Sequence, residues 1–121
     1  MTLLGAAQIR ELAEELGIKP AKSLGQNFVI DANVCRKIVR IAGVRSSDVA
    51  LEIGPGLGSL TLALLEEAQS VIAVEIDQRL AERLPQTVQE NNQSSATFRV
   101  IHEDALNLQT LPESPTVLVA N

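Results

Sequence analysis

Residues 52–58 read Glu52-Ile53-Gly54-Pro55-Gly56-Leu57-Gly58 and come directly off a short apolar run, Val49–Ile53. Glycines at that point allow a tight turn and let a ligand lie against bare backbone. Glu75 follows 21 residues after Gly54, at the end of a second apolar run, Ser70–Glu75. A carboxylate at that spacing can accept both hydroxyls of a ribose. A third acidic site, Glu103-Asp104, follows a third run, Phe98–His102. Asp104 can accept a hydrogen bond from an adenine amine, although alone it reads better as a loop acid capping a turn. Together the three sites predict a cofactor that contains a nucleoside.

The same residues discriminate between cofactors. A dinucleotide fingerprint wants glycine at positions 54, 56 and 59. Position 59 is Ser59, and the third glycine comes one residue early. Glu52 is also a poor neighbour for a pyrophosphate, because like charges repel at short range. S-adenosylmethionine carries a sulfonium and an ammonium and no phosphate, so a nearby carboxylate suits it. The chain has no Gly-Lys-Ser/Thr of the phosphate-binding-loop kind.

Other polar residues are less specific. Lys22-Ser23-Leu24-Gly25-Gln26-Asn27-Phe28 suits a lid over the cofactor, with amides facing its methionine end; by itself it is an ordinary inter-helix loop. Cys35 falls on the apolar face of a helix and reads as core. His102 has no second histidine or cysteine at ligand spacing, so no metal is expected. Arg36, Lys37 and Arg40 form either a solvated helix face or a contact for RNA.

These residues need elements to position them. Ile9, Leu12, Ala13 and Leu16 share one face of a first helix, stopped by Gly17 and Pro20. Asp31 caps a second helix with Val34, Cys35, Ile38 and Ala42 inward and Gly43 closing it. Strands at 49–53, 70–75, 98–102 and 116–120 alternate with helices at 59–68 and from Asp77 onward, where Pro85 must end or restart the helix. Asn91–Ala96 reads as a polar loop. The alternation predicts a parallel α/β sheet wound right-handed. It also predicts a Rossmann-like domain over 48–121, with a helical extension and lid motif over 1–47.

At 121 residues, 45% hydrophobic and 21% charged, the chain has one globular domain's worth of sequence. It has no apolar run long enough to span a bilayer. With one cysteine and no secretory leader pattern, a reducing cytoplasm is the expected compartment. The net charge of −5 is unevenly spread. Residues 1–47 carry seven basic and four acidic side chains, and residues 48–121 carry three and eleven. Only the first part could meet a polyanion.

In order along the chain, Lys-Ser-Leu-Gly-Gln-Asn-Phe-Val, Leu-Glu-Ile-Gly-Pro-Gly-Leu-Gly-Ser-Leu-Thr, Val-Ile-Ala-Val-Glu-Ile-Asp, Glu-Asp-Ala and a last Val-Ala-Asn resemble the ribosomal RNA adenine dimethyltransferases. The resemblance implies a class I methyltransferase fold with strand order 3-2-1-4. It implies S-adenosylmethionine as methyl donor, and two adjacent adenines of small-subunit (16S) ribosomal RNA as targets. By the same resemblance Asn27 and Val29 border the cofactor, and Gly54 and Gly56 line its amino-acid end. Glu75 takes the ribose and Asp104 the adenine. Asn121 opens the family's Asn-Leu-Pro-Tyr motif and would serve both the cofactor and the target amine. The rest of that motif and a helical C-terminal domain do not follow Asn121. The chain is therefore expected to be an N-terminal fragment that binds cofactor, does not methylate, and self-associates through the apolar strand 116–120. The alternatives are a large-subunit enzyme of the erythromycin-resistance type and a nucleic-acid-binding relative.

Overall fold

The computed structural model describes residues 3–18 and 31–120. Helix α1, Ala6–Glu15, buries Ile9, Leu12 and Ala13 as their spacing predicts. Gly17 ends it with φ +66°. The Gly17 and Ile18 N–H groups return to the Glu14 and Ala13 carbonyls at 3.1 and 2.8 Å, which satisfies the last turn. Helix α2, Ala32–Ile41, starts at Asp31, whose carboxylate accepts from the Asn33 and Val34 N–H groups. Its inward face differs from the expected one: Cys35 and Val39 are buried, Val34 is 44% exposed, and Ala42 is exposed. α2 rests on α3 along the Cys35–Val39 seam, and Ala32 and Ile38 only flank it.

Four strands, β1 Val49–Ile53, β2 Ser70–Glu75, β3 Thr97–His102 and β4 Val117–Ala120, form one parallel sheet in the order β3-β2-β1-β4. This is the expected 3-2-1-4 arrangement. All six residues of β2 are buried, and as expected for a strand covered on both faces its centre, Val71–Val74, is a continuous apolar run. β4 begins one residue later than expected. Thr116 instead bridges with its side chain, its hydroxyl donating to Asp48 Oδ1 and accepting from the Val49 N–H.

Helix α3, Ser59–Glu67, is buried from Ser59 to Leu65 and follows Gly58 at φ +104°. A Cβ on Gly58 would come within 2.7 Å of Leu84 Cδ1 on α4, so close packing as well as backbone angle requires glycine there. Helix α4, Gln78–Asn91, runs straight through Pro85, where the sequence predicted a break. An interior proline costs about 3 kcal/mol. Pro85 sits on the exposed side, while Leu80, Ala81, Leu84, Thr87 and Val88 bury the opposite side on both flanks. Tertiary burial outweighs the lost hydrogen bond. The polar loop before β3 accordingly starts at Asn92. One core joins α1, α2, α3, α4 and the sheet, with Leu62, Leu64, Leu65 and Leu84 at its centre.

Candidate cofactor-binding site

In a parallel sheet with this winding, ligands collect at the carboxyl ends of the strands, at the point where the order reverses between β1 and β4. Gly54 and Gly56 lie there with φ +72° and +59°, left-handed backbone that glycine adopts freely. Gly54 N–H is held by the Val74 carbonyl at 2.9 Å, which stitches the turn to the end of β2.

Glu75 closes β2 and is only 4% exposed. Its Oε1 accepts from the Gly56 N–H at 3.0 Å and its Oε2 from the Asp77 N–H at 2.9 Å. One carboxylate thus ties the glycine turn to the start of α4. Each oxygen can accept more than one hydrogen bond, so this geometry leaves acceptor capacity for a diol. Asp104 is half-buried after β3, and its Oδ1 takes the Leu106 N–H at 2.9 Å, capping the one-turn 3-10 helix Ala105–Asn107. The bland reading of Asp104 is therefore present, with Oδ2 as the oxygen that has no donor among the described residues. The structure brings Gly54, Gly56, Glu75 and Asp104 to successive strand ends. Asn27, Val29 and Asn121, and the lid motif around the first two, lie outside the described residues.

Glu52 departs from its expected place. Strand alternation puts it on the same face as Ala50, and both are fully buried. Its Oε1 accepts the Thr61 hydroxyl of α3 at 2.5 Å, and its Oε2 has no partner among the described residues. Burial pushes the carboxyl up to about 7, against the pull of the Thr61 hydrogen bond and with a further push from the Glu75 charge. It is turned toward α3, not the open turn, so it cannot act as a fixed surface anion facing a sulfonium. Cys35 packs nearby, fully buried as expected, its thiol pushed up to about 11 by burial and by the Glu52 and Asp31 charges. His102 Nε2 lies 3.1 Å from the Ile76 carbonyl, which puts the ring proton on that nitrogen in a structural bond.

Two contributors were missed from sequence. Thr61 is a lone hydroxyl on an otherwise apolar helix face, and that mismatch was its available signal. Asp77 was read only as a helix cap, which it is, through the Arg79 and Leu80 N–H groups. Its own N–H on Glu75 has no side-chain signature. A separate cavity of about 280 Å³ lies between α2 and α3, lined partly by Arg36, Arg40, Glu66 and Glu67, with no strand-end residue in its wall. Arg36 makes a two-pronged pair with Glu66 there at 3.1 and 3.2 Å.

The sequence profile of the ribosomal RNA adenine dimethylase family matches residues 17–119. The chain belongs to that family. It is 59% identical over its whole length to the Ribosomal RNA small subunit methyltransferase A of Leifsonia xyli and 60% identical over 98% of its length to that of Streptomyces avermitilis. It spans 44% and 41% of those proteins. Among solved structures it is similar to a dimethyladenosine transferase from Plasmodium falciparum, with a TM-score of 0.63 and 33% identity over 75% of this chain and 32% of that one. The 23S rRNA methyltransferase ErmE aligns with a TM-score of 0.60 and 34% identity over 72% of this chain and 34% of that one. A putative RNA methyltransferase from Pyrococcus horikoshii, at 22% identity and a TM-score of 0.63, shares the fold over 93% of this chain and 58% of its own. The architecture is the Rossmann-like α/β fold of the methyltransferases.

Proposed function

We propose that this chain is the cofactor-binding part of an S-adenosylmethionine-dependent enzyme that dimethylates two adjacent adenines of small-subunit ribosomal RNA. The observation that carries this is Glu75, an almost fully buried carboxylate at the end of β2, bonded to the glycine turn through Gly56 in a chain of this family. The residues fit the cofactor by their donor and acceptor chemistry. Glu75 accepts from the ribose hydroxyls, Asp104 Oδ2 accepts from the adenine amine, and Gly54 and Gly56 leave backbone open to the amino-acid end. When bound, S-adenosylmethionine supplies a methyl group on a sulfonium. Asn27 and Val29 border it by family resemblance, within the 1–47 extension that precedes the 48–121 fold. Asn121 accepts the proton-bearing edge of the target amine, whose lone pair is otherwise delocalised into the ring.

RNA is the proposed partner, in the cytoplasm. Among the described residues no helix is long and apolar enough to cross a membrane. Lys37 and Arg40 are exposed on α2, whereas Arg36 shares its charge with Glu66. Phosphate contact therefore falls mainly to Lys37 and Arg40, together with Lys19 and Lys22. The large-subunit alternative has the likeness to ErmE in its favour, but the higher identity to the small-subunit relatives favours the first reading.

Self-association of this chain through 116–120 is also proposed. Leu118 is 63% exposed on β4, while Val119 is buried. Leu118→Lys is thus the test of association by light scattering, and Val119→Lys would injure the core. The cofactor test is calorimetric titration with S-adenosylmethionine, S-adenosylhomocysteine and NAD. Binding of the first two and not of NAD is expected; preference for NAD would overturn the reading.

A further inference from the structure

A route of hydrogen bonds joins the end of α1 to the centre of the site. Arg79, the second residue of α4, donates from Nη1 to the Leu16 carbonyl at 3.1 Å and from Nη2 to Asp77 Oδ2 at 3.4 Å. The Asp77 N–H is one of the two backbone donors on Glu75, and the Gly56 N–H is the other. Leu16 also shares the wall of a small crevice with Gly56, Leu57, Leu80 and Leu84. The position of Arg79 is electrostatically unfavourable for α4 alone, since a cation in the first turn opposes the helix dipole. It is compensated from outside the helix. Asp77 pairs with it, and the Leu16 carbonyl at the end of α1 offers an acceptor at that helix's negative pole.

We propose that Arg79 is a positioning residue for cofactor binding: by holding Leu16 and Asp77 together, it keeps Glu75 and Gly56 in the arrangement that receives the ribose. The helix outside the sheet unit is thereby coupled to ribose recognition. This rests on the cofactor reading above. A second link between α1 and α4 provides the contrast. Glu15 pairs with Arg83 at 2.8 Å, and Arg83 bonds neither Leu16 nor Asp77.

The test is titration of the chain, of Arg79→Gln and of Glu15→Gln with S-adenosylmethionine and with adenosine, alongside thermal unfolding. Adenosine keeps the ribose and adenine and lacks the methionine end. Arg79 and Glu15 side chains are both more than half exposed, so both variants are expected to fold. Arg79→Gln is expected to weaken both ligands by the same factor, about three- to tenfold, the scale of one ordinary hydrogen bond. Glu15→Gln is expected to change affinity by less than about twofold, because Glu15 is itself mostly solvated and its partner Arg83 bonds neither Leu16 nor Asp77. Equal losses in the two variants would overturn the proposal, because any loosening of α1 would then suffice. Unchanged affinity in Arg79→Gln, or a loss confined to S-adenosylmethionine, would overturn it as well. A parent chain that binds neither ligand would overturn the cofactor reading and this proposal with it.

Discussion

The ends of β1 and β2 each hide a carboxylate, and the two are treated in opposite ways. Glu75 on β2 receives a backbone N–H on each oxygen. Glu52 on β1 receives one hydroxyl and keeps one oxygen with no donor among the described residues. Both are at most 4% exposed. The difference is one of backbone geometry. Glu75 stands beside a glycine turn and a helix start, two places where N–H groups have no partner within their own element. Glu52 also meets the first turn of a helix, since Thr61 is the third residue of α3, but it takes the Thr61 hydroxyl and none of that turn's backbone N–H groups. A buried acid at a strand end is therefore a ligand for backbone in one case and, in the other, a carboxyl that burial holds toward its protonated form.

The contrast can be broken most strongly through pH. With its pKa raised from 4.5 to about 7, Glu52 keeps a proton in the folded chain that the unfolded chain has already lost. Stability should fall as pH rises from about 4.5 to 7 and level off above, because the unfolded state binds fewer protons in that window. The contribution is about 3 kcal/mol for a raised pKa of that size. Denaturant unfolding of the chain and of Glu52→Gln across the window checks this. The difference between them should shift with that slope, and parallel curves would mean that Glu52 is ionised throughout.

Glu75→Ala removes two charge-assisted acceptors from the ribose position. Affinity for S-adenosylmethionine should drop by about 1.5–3 kcal/mol, read by calorimetry with folding verified by circular dichroism. Unaltered affinity in a folded variant would make Glu75 a structural tie only. Thr61→Val keeps the shape and deletes the one donor on Glu52 among the described residues. That donor holds the Glu52 pKa down, so the pH window should extend upward beyond 7, at a cost of about 1 kcal/mol at neutral pH. The smallest effect concerns Cys35. Its thiol, raised to about 11 and fully buried, should resist alkylation at pH 8 until the chain unfolds. Rapid labelling of the native chain would mean that α2 detaches from the Glu52 side of the sheet.

Much of the fold was legible because its signals are local and mutually consistent. The glycine turn, the apolar run Val71–Val74 of β2 and the Asp31 and Asp77 caps each follow from residue type at one place. The errors arose where a distant partner decides. Pro85 does not end α4 because burial of residues on both sides of it outweighs its missing N–H. Val34 faces outward because α3 meets α2 along Cys35 and Val39, and periodicity cannot tell which side of Ile38 a neighbour will occupy. Glu52 was read as facing the turn, although alternation with Ala50 was available to place it inside. At the site, the spacing of Gly54, Gly56, Glu75 and Asp104 identified strand ends correctly. The backbone bonds that already occupy Glu75 and Asp104 could not be read from any side-chain pattern.

The pairing of β1 with β4 sets an order of events. Val49 and Thr116 are joined by hydrogen bonds in both directions across a separation of 67 residues, and every β1–β4 partner is similarly remote. During synthesis at about 5–20 residues per second, roughly 3–13 s pass between the making of Val49 and of Thr116. Through that interval β1 can pair with β2 while its other edge has no mate, in a nascent chain already able to bury the leucines of α3. A strand from any neighbouring nascent chain could take that edge. The side chain of Thr116, which bonds Asp48 and Val49 ahead of the first residue of β4, then acts as a latch that sets the register as the late strand arrives.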